Sequence, residues 1–160
     1  FSLVREKNPG LKLKLAGKAI DRGYQAEINE AIYSANLESA VELIGEQTTK
    51  KLVRLYQNCA LFIFPSTVET FGNPLVEAMA CGTPIASSNT AAMPEILGDA
   101  ATYFDPLDVK DMANTIMSIL ENENERQRLG TLALERAKLF SWQETASQTA
   151  NIIKSVASSG

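Results

Sequence analysis

Residues 59–95 read CALFIFPSTVETFGNPLVEAMACGTPIASSNTAAMPE, and the order of textures in this run decides the fold. ALFIFP (60–65) is a continuous apolar segment, the pattern of a strand covered on both faces. A polar loop follows, then a helix expected over 74–81, with Pro74 at its start and Gly82 as its stop. TPIAS (83–87) is the next strand. Strand, loop, helix and strand in this order are the unit of a parallel sheet with helices on both faces. Ligands of such sheets bind beyond the carboxyl ends of the strands, which places the loop 66–73 where a site belongs.

Two glutamates, Glu69 and Glu77, bracket the loop-to-helix junction at E-x7-E spacing, with Phe71-Gly72-Asn73-Pro74 between them. A glycine followed closely by proline at a helix start leaves backbone N–H groups directed at the loop, which suits an anion. Gly72, Asn73, Leu75 and Val76 carry the candidate phosphate donors; Pro74 has no N–H to give. With a rise of ~1.5 Å per residue, Gly72 and Glu77 lie roughly 7 Å apart along the axis, room for a diphosphate. A carboxylate on each side of an anion site makes sense when the ligand also carries hydroxyls. A nucleotide-sugar has that pattern: sugar hydroxyls, diphosphate, ribose hydroxyls. Each acid has a plainer explanation alone, Glu77 as a first-turn acid favoured by the helix dipole and Glu69 as a solvated loop acid. The pair, with Phe-Gly-x-Pro between, favours a ligand site. Glu95 reads as a helix-start acid, and Asp99 and Asp105 as turn residues.

Working outward, residues 1–7 read as a helix end stopped by Asn8-Pro9-Gly10. LKLKLAG (11–17) is a strand whose leucine–lysine alternation implies one wet face. Residues 21–36 are helical, with Tyr24, Ile28, Ala31, Ile32 and Ala35 near helical spacing. AVELIG (40–45) is a strand, and Thr48 or Thr49 is placed to cap a helix to about Asn58, with Leu52, Leu55 and Tyr56 inward. Beyond residue 87, a short turn at 93–97 closes on Gly98, and ATYFDP (101–106) is a strand. Amphipathic helices follow at 108–121, 124–139 and 141–156, and the tail SSG reads as disordered. Gly17-Lys18, Gly45-Glu46 and Ser87-Ser88-Asn89 follow strands and should line the same edge as the glutamates.

The 160 residues, 45% of them hydrophobic, suffice for one domain with a core. The net charge of −4 with no Lys/Arg block argues against nucleic acid as a partner. No apolar run nears the ~20 residues a spanning helix needs, and no signal peptide is evident. Cys59 and Cys81 sit in apolar contexts and read as buried free thiols in a reducing cytosol. With no histidine, a Ser-His-Asp triad, a Cys-His pair and a zinc site are all out of reach.

At ETFGNPLVEAMACGTPIASS the sequence closely resembles the retaining glycosyltransferases called group 1 or family 4. Their signature E-[GT]-F-G-x-P-x-x-E-A-M-A-x-G-x-P-V is matched with Ile85 in place of the final valine. The likeness continues through Pro94-Glu95, Gly98-Asp99, Asp105-Pro106 and Phe140-Ser141-Trp142. It implies an α/β fold, a Rossmann-like parallel sheet with helices on both faces: the C-terminal half of a two-domain GT-B enzyme. It implies that Glu69 lies at the donor sugar near the reacting carbon and is the catalytic carboxylate. It implies that the backbone after Phe71-Gly72 supports sugar and diphosphate, that Glu77 binds ribose hydroxyls, and that the loops at Gly17 and Gly45 approach the base. No metal and no cofactor are implied; the nucleotide-sugar is a substrate. In the family's front-face mechanism the leaving phosphate takes the acceptor proton, which suits a chain without histidine.

The family's phosphate-clamping Arg and Lys follow a first strand that would precede Phe1, so Arg5 and Lys7 are not promoted to that role. The resemblance therefore implies a donor-binding fragment of a larger enzyme, inert alone, lacking its N-terminal acceptor domain and leaving a gap in the sheet. Trp142 is expected to pack, on a terminal helix that crosses the two-domain junction. SSNTAAMPEILGDAATYFDP resembles members acting on mannose donors in surface polysaccharide synthesis, so GDP-mannose leads and a UDP-sugar is the alternative. The expected setting is cytoplasmic, at the inner membrane face, with peripheral membrane contact through the full-length protein.

Other classes compete with this reading. A glycoside hydrolase needs two carboxyls facing across a sugar about 5–9.5 Å apart, and a helix start between them argues for phosphate instead. A nicotinamide-binding domain lacks its G-x-G fingerprint. A GT-B-fold nucleotide-sugar epimerase would share the donor site, and a non-catalytic interaction domain would keep the motif without using it.

Overall fold

In the computed structural model, which describes residues 1–158, strands and helices alternate along the chain. The first half runs α1 (Ser2–Lys7), β1 (Leu13–Ala16), α2 (Arg22–Ser34), β2 (Val41–Gly45), α3 (Thr49–Asn58) and β3 (Phe62–Phe64). The second half runs α4 (Asn73–Ala80), β4 (Ile85–Ser88), α5 (Met93–Leu97), β5 (Thr102–Phe104), α6 (Val109–Leu120), α7 (Glu123–Ala137) and α8 (Trp142–Ala157). The expected disorder of the tail falls, for residues 159–160, outside the described residues.

Side-chain caps start most of the longer helices. The Asp21 carboxylate accepts from the N–H groups of Gly23 and Tyr24 at 2.7 and 3.0 Å, and Asp108 accepts from Lys110 and Asp111 at 2.8 and 3.1 Å. Asn122 and Ser141 do the same for α7 and α8. Thr48 holds the N-cap position of α3, but its side chain makes no cap bond.

All pairings are parallel, and the strands fall into two sheets. β1 pairs with β2, and β3, β4 and β5 pair in that order. Among the described residues no ladder joins the two sheets. The three-stranded sheet holds the core on both faces. Phe62, Phe64, Ile85 and Tyr103 face a cluster built by α3, α4, α5 and α7, including Leu75, Met79 and Leu97. Ile63, Ala86 and Phe104, alternating with them, face α1, α6 and the start of α7 through Val4, Ile116, Ile119 and Leu129.

Several expectations shift here. The strand buried on both faces is β4, whose four residues are all buried; β3 is half-buried, because it pairs on one side only. The leucine–lysine alternation of β1 holds at Leu13 and Lys14, half-buried and exposed, but Leu15 at the strand's end is 36% exposed. No residue of α2 is buried, Tyr24 included. Trp142 is 85% exposed, and α8 buries none of its residues against the described chain. Cys59 is exposed and Cys81 intermediate, so neither is the buried thiol expected. The Cys59 sulfur nonetheless lies 3.4 Å from the Tyr56 carbonyl oxygen, and its burial there pushes the thiol pKa up. No helix among the described residues is long and apolar enough to cross a membrane.

Candidate functional site

The junction between β3 and α4 is built around Gly72. Its φ of 80° is the left-handed conformation that glycine adopts without a steric cost, and it turns the loop into the helix. An added Cβ there would sit 3.0 Å from Leu75 Cδ1. Leu75 is fully buried, so the first turn of α4 is pinned to the core from below. Phe71, on the solvent side, meets Phe140 edge-on at 5.8 Å between ring centroids. The N–H groups of Gly72 and Asn73 donate to no group among the described residues, whereas that of Leu75 donates to the Gly72 carbonyl at 2.9 Å. Leu75 therefore reaches a ligand only by sharing its proton. Two open donors at the positive end of a helix dipole suit a phosphate.

Glu69 is half-buried, and Ser66 Oγ lies 3.5 Å from its Oε1 and donates to the Val68 carbonyl at 3.0 Å. The loop carrying Glu69 is held from the neighbouring strand by hydroxyls. Ser88 Oγ donates to the Ser66 carbonyl at 2.6 Å, Ser87 Oγ to Phe64 at 3.5 Å, and Thr90 Oγ1 to Thr67 at 3.4 Å. Ser87 and Ser88 are fully buried, so these bonds replace water that the loop carbonyls would otherwise hold. The segment Ser87-Ser88-Asn89 was expected at this edge, but its role as a brace for Glu69 is visible only once β3 and β4 are paired. Ala91, in the same loop, takes a left-handed φ of 50°, a conformation that costs about 1–2 kcal/mol outside glycine.

Glu77 projects from α4 into solvent, and the Tyr56 hydroxyl donates to its Oε2 at 3.2 Å. Burial, with the Glu77 carboxylate adding to it, pushes the Tyr56 pKa above the ordinary phenol value. Burial and Glu77 act on the Cys81 thiol in the same direction.

Gly17 and Gly45 come together at the carboxyl ends of β1 and β2, where the Gly17 N–H donates to the Gly45 carbonyl at 3.0 Å. A Cβ at either would meet nothing within 4 Å, so both face open space. They line a cleft of about 430 Å³ with Lys18, Tyr24, Ile28 and Leu43. A second cleft, about 440 Å³, lies at the opposite ends of β3 and β4 beside Cys59, Gly82 and Arg126, away from both glutamates. The predicted residues thus form two groups: Glu69, Phe71, Gly72, Asn73, Leu75, Val76 and Glu77 at α4, and Gly17 and Gly45 on the other sheet. Among the described residues no cluster of acidic or cysteine side chains is arranged to hold a metal.

Comparison with known proteins places this arrangement. The chain is 33% identical over 134 residues to the O-antigen chain mannosyltransferase B of Escherichia coli, a match covering 83% of this chain and 35% of that protein. It is 30% identical over 162 residues to the mannosylfructose-phosphate synthase of Agrobacterium fabrum, covering 96% of this chain and 36% of that protein. Its backbone superposes on the sucrose-phosphate synthase of Thermosynechococcus elongatus with a TM-score of 0.86 at 26% identity, covering 99% of this chain and 42% of that one. The chain therefore spans roughly a third of the length of these curated relatives. The profile of the glycosyl transferases group 1 matches residues 1–136, and the chain belongs to that family.

Proposed function

We propose that this chain is the donor-binding domain of a retaining glycosyltransferase that moves mannose from GDP-mannose to a glycan or lipid-linked acceptor. The observation that carries the reading is the pair Glu69 and Glu77 on either side of the open N–H groups of Gly72 and Asn73. In this reading the diphosphate sits on those N–H groups, Glu77 accepts the ribose hydroxyls, and Glu69 accepts hydroxyls of the sugar. The base enters the cleft at Gly17 and Gly45. The bond between the anomeric carbon and the diphosphate breaks while a bond to the acceptor oxygen forms on the same face. The acceptor proton passes to the leaving phosphate, so no side-chain base is required and no metal is invoked. Charge growing on that phosphate is stabilised by the α4 dipole, a stronger interaction in the transition state than in the ground state. Mannose leads because the Escherichia coli relative at 33% identity is named a mannosyltransferase, and the 87–106 segment shares that resemblance. The O-antigen in that relative's name favours a role in surface polysaccharide synthesis. A cytoplasmic setting at the inner membrane face, with an acceptor domain on a longer chain, completes the proposal.

Calorimetric titration with GDP, UDP, GDP-mannose and UDP-glucose tests it. GDP-mannose is expected to bind most tightly. Loss of a charged hydrogen-bond acceptor in Glu77→Ala should weaken binding roughly 10–100-fold. Parent and variant binding equally well would remove Glu77 from the site, and preference for UDP-glucose would overturn the mannose assignment.

A further inference from the structure

A glutamate on an exposed helix face samples several rotamers, and a ligand that needs one of them must meet the cost of selecting it. Glu77 is exposed on α4, yet one of its oxygens is held from a different helix. The holder, Tyr56, is itself fixed. Its ring is 8% exposed and meets Phe62 edge-on at 5.2 Å and 89°, and its carbonyl accepts from the buried Thr83 hydroxyl at 2.9 Å. We propose that Tyr56 is a positioning residue for the donor ribose: its hydroxyl, donating to Glu77 Oε2, fixes the carboxylate in the orientation that accepts the ribose hydroxyls. The inference rests on the reading of Glu77 as the ribose acceptor and adds the group that orients it.

The chemistry is consistent at each atom. A carboxylate offers about four lone-pair directions and the phenol occupies one. Oε1 receives no hydrogen bond among the described residues and stays open to a vicinal diol. Burial and the adjacent carboxylate favour the protonated phenol, so Tyr56 is the donor in this bond. Tyr56 lies on α3 and is nearly buried, so it would act on the ribose through Glu77.

The test is titration of the parent, Tyr56→Phe, Glu77→Ala and the double variant with GDP and 2′-deoxy-GDP, alongside thermal melts. Tyr56→Phe keeps the ring and removes only the O–H, so its melt should match the parent. Its affinity for GDP should fall about 5–10-fold while that for 2′-deoxy-GDP changes less, narrowing the discrimination between the two. The double variant should be no weaker than Glu77→Ala, because Tyr56 acts through Glu77. Glu77→Asp, which keeps the charge but draws it back from the phenol, should narrow the discrimination in the same way without touching Tyr56. Unchanged discrimination in Tyr56→Phe, or losses that add in the double variant, would overturn the positioning role while leaving the donor site intact. Glu77→Ala binding GDP as well as the parent would instead sink the reading of Glu77, and this inference with it.

Discussion

At the scale of single residues, close approach matters more than propensity. Gly130, inside α7, lies where an added Cβ would be 2.6 Å from the Gly82 carbonyl oxygen at the end of α4. Alanine is the better helix former by about 1 kcal/mol. A backbone oxygen cannot swing aside as a side-chain tip does, and forcing extra volume into a packed contact costs about 1–3 kcal/mol. Gly130→Ala should therefore lower the midpoint of urea unfolding despite its helix preference; a raised midpoint would show that α4 and α7 slide apart freely. The sequence gives no hint of this contact, because it marks Gly130 only as an isolated glycine in a helical pattern. Glu69, Gly72 and Glu77 could be proposed from the sequence for the opposite reason: the site proposed for them depends on neighbours within a few positions of one chain segment. The Tyr56 bond to Glu77 spans 21 positions and exists only because α3 packs on α4, so periodicity marks Tyr56 as a core residue and nothing more.

At the scale of elements, each strand and helix is recoverable from apolar runs, caps and glycine stops, and most ends agree within two residues. In the central sheet the hydrogen-bonded portions of the strands are shorter than the apolar runs that announce them. ALFIFP yields a ladder of three residues, Phe62–Phe64, paired with Ile85–Ser87 of β4. Burial was less legible than type, since a continuous apolar run does not say which strand will be central. The placement of β4 between β3 and β5 gives its hydroxyls their role. Ser88→Ala should cost about 0.5–1.5 kcal/mol, since the part-buried Ser66 carbonyl loses its donor. If the β4 hydroxyls do brace the Glu69 loop, the same change should weaken GDP-mannose more than GDP, because Glu69 is assigned to the sugar. Equal losses for both ligands in titration would confine Ser88 to stability.

At the scale of the whole molecule, burial is divided unevenly between the two sheets. Around β3–β5 the helices bury side chains on both faces, whereas β1, α2 and β2 together contain no fully buried residue. Opening free energy follows buried apolar contact, so the half with less of it should open without global unfolding. Native-state hydrogen exchange should find the amides of β1, α2 and β2 exchanging at least about tenfold faster than those of β4 and α4. A nucleotide bridging Gly45 and Glu77 should narrow that gap; uniform protection would mean that the sheets unfold as one. Nothing in the hydrophobic pattern announces the asymmetry, because LKLKLAG and AVELIG read as ordinary half-buried strands. The exposure of Trp142 has a practical outcome for anyone following these events by light. The chain has a single tryptophan, and it stands in water on a helix that buries nothing against either sheet. At 85% exposure its emission should resemble that of free indole before and after denaturation, so intrinsic fluorescence is expected to stay nearly silent while the core comes apart. Circular dichroism, or an indole moved to the position of Phe62, is the signal that would see it.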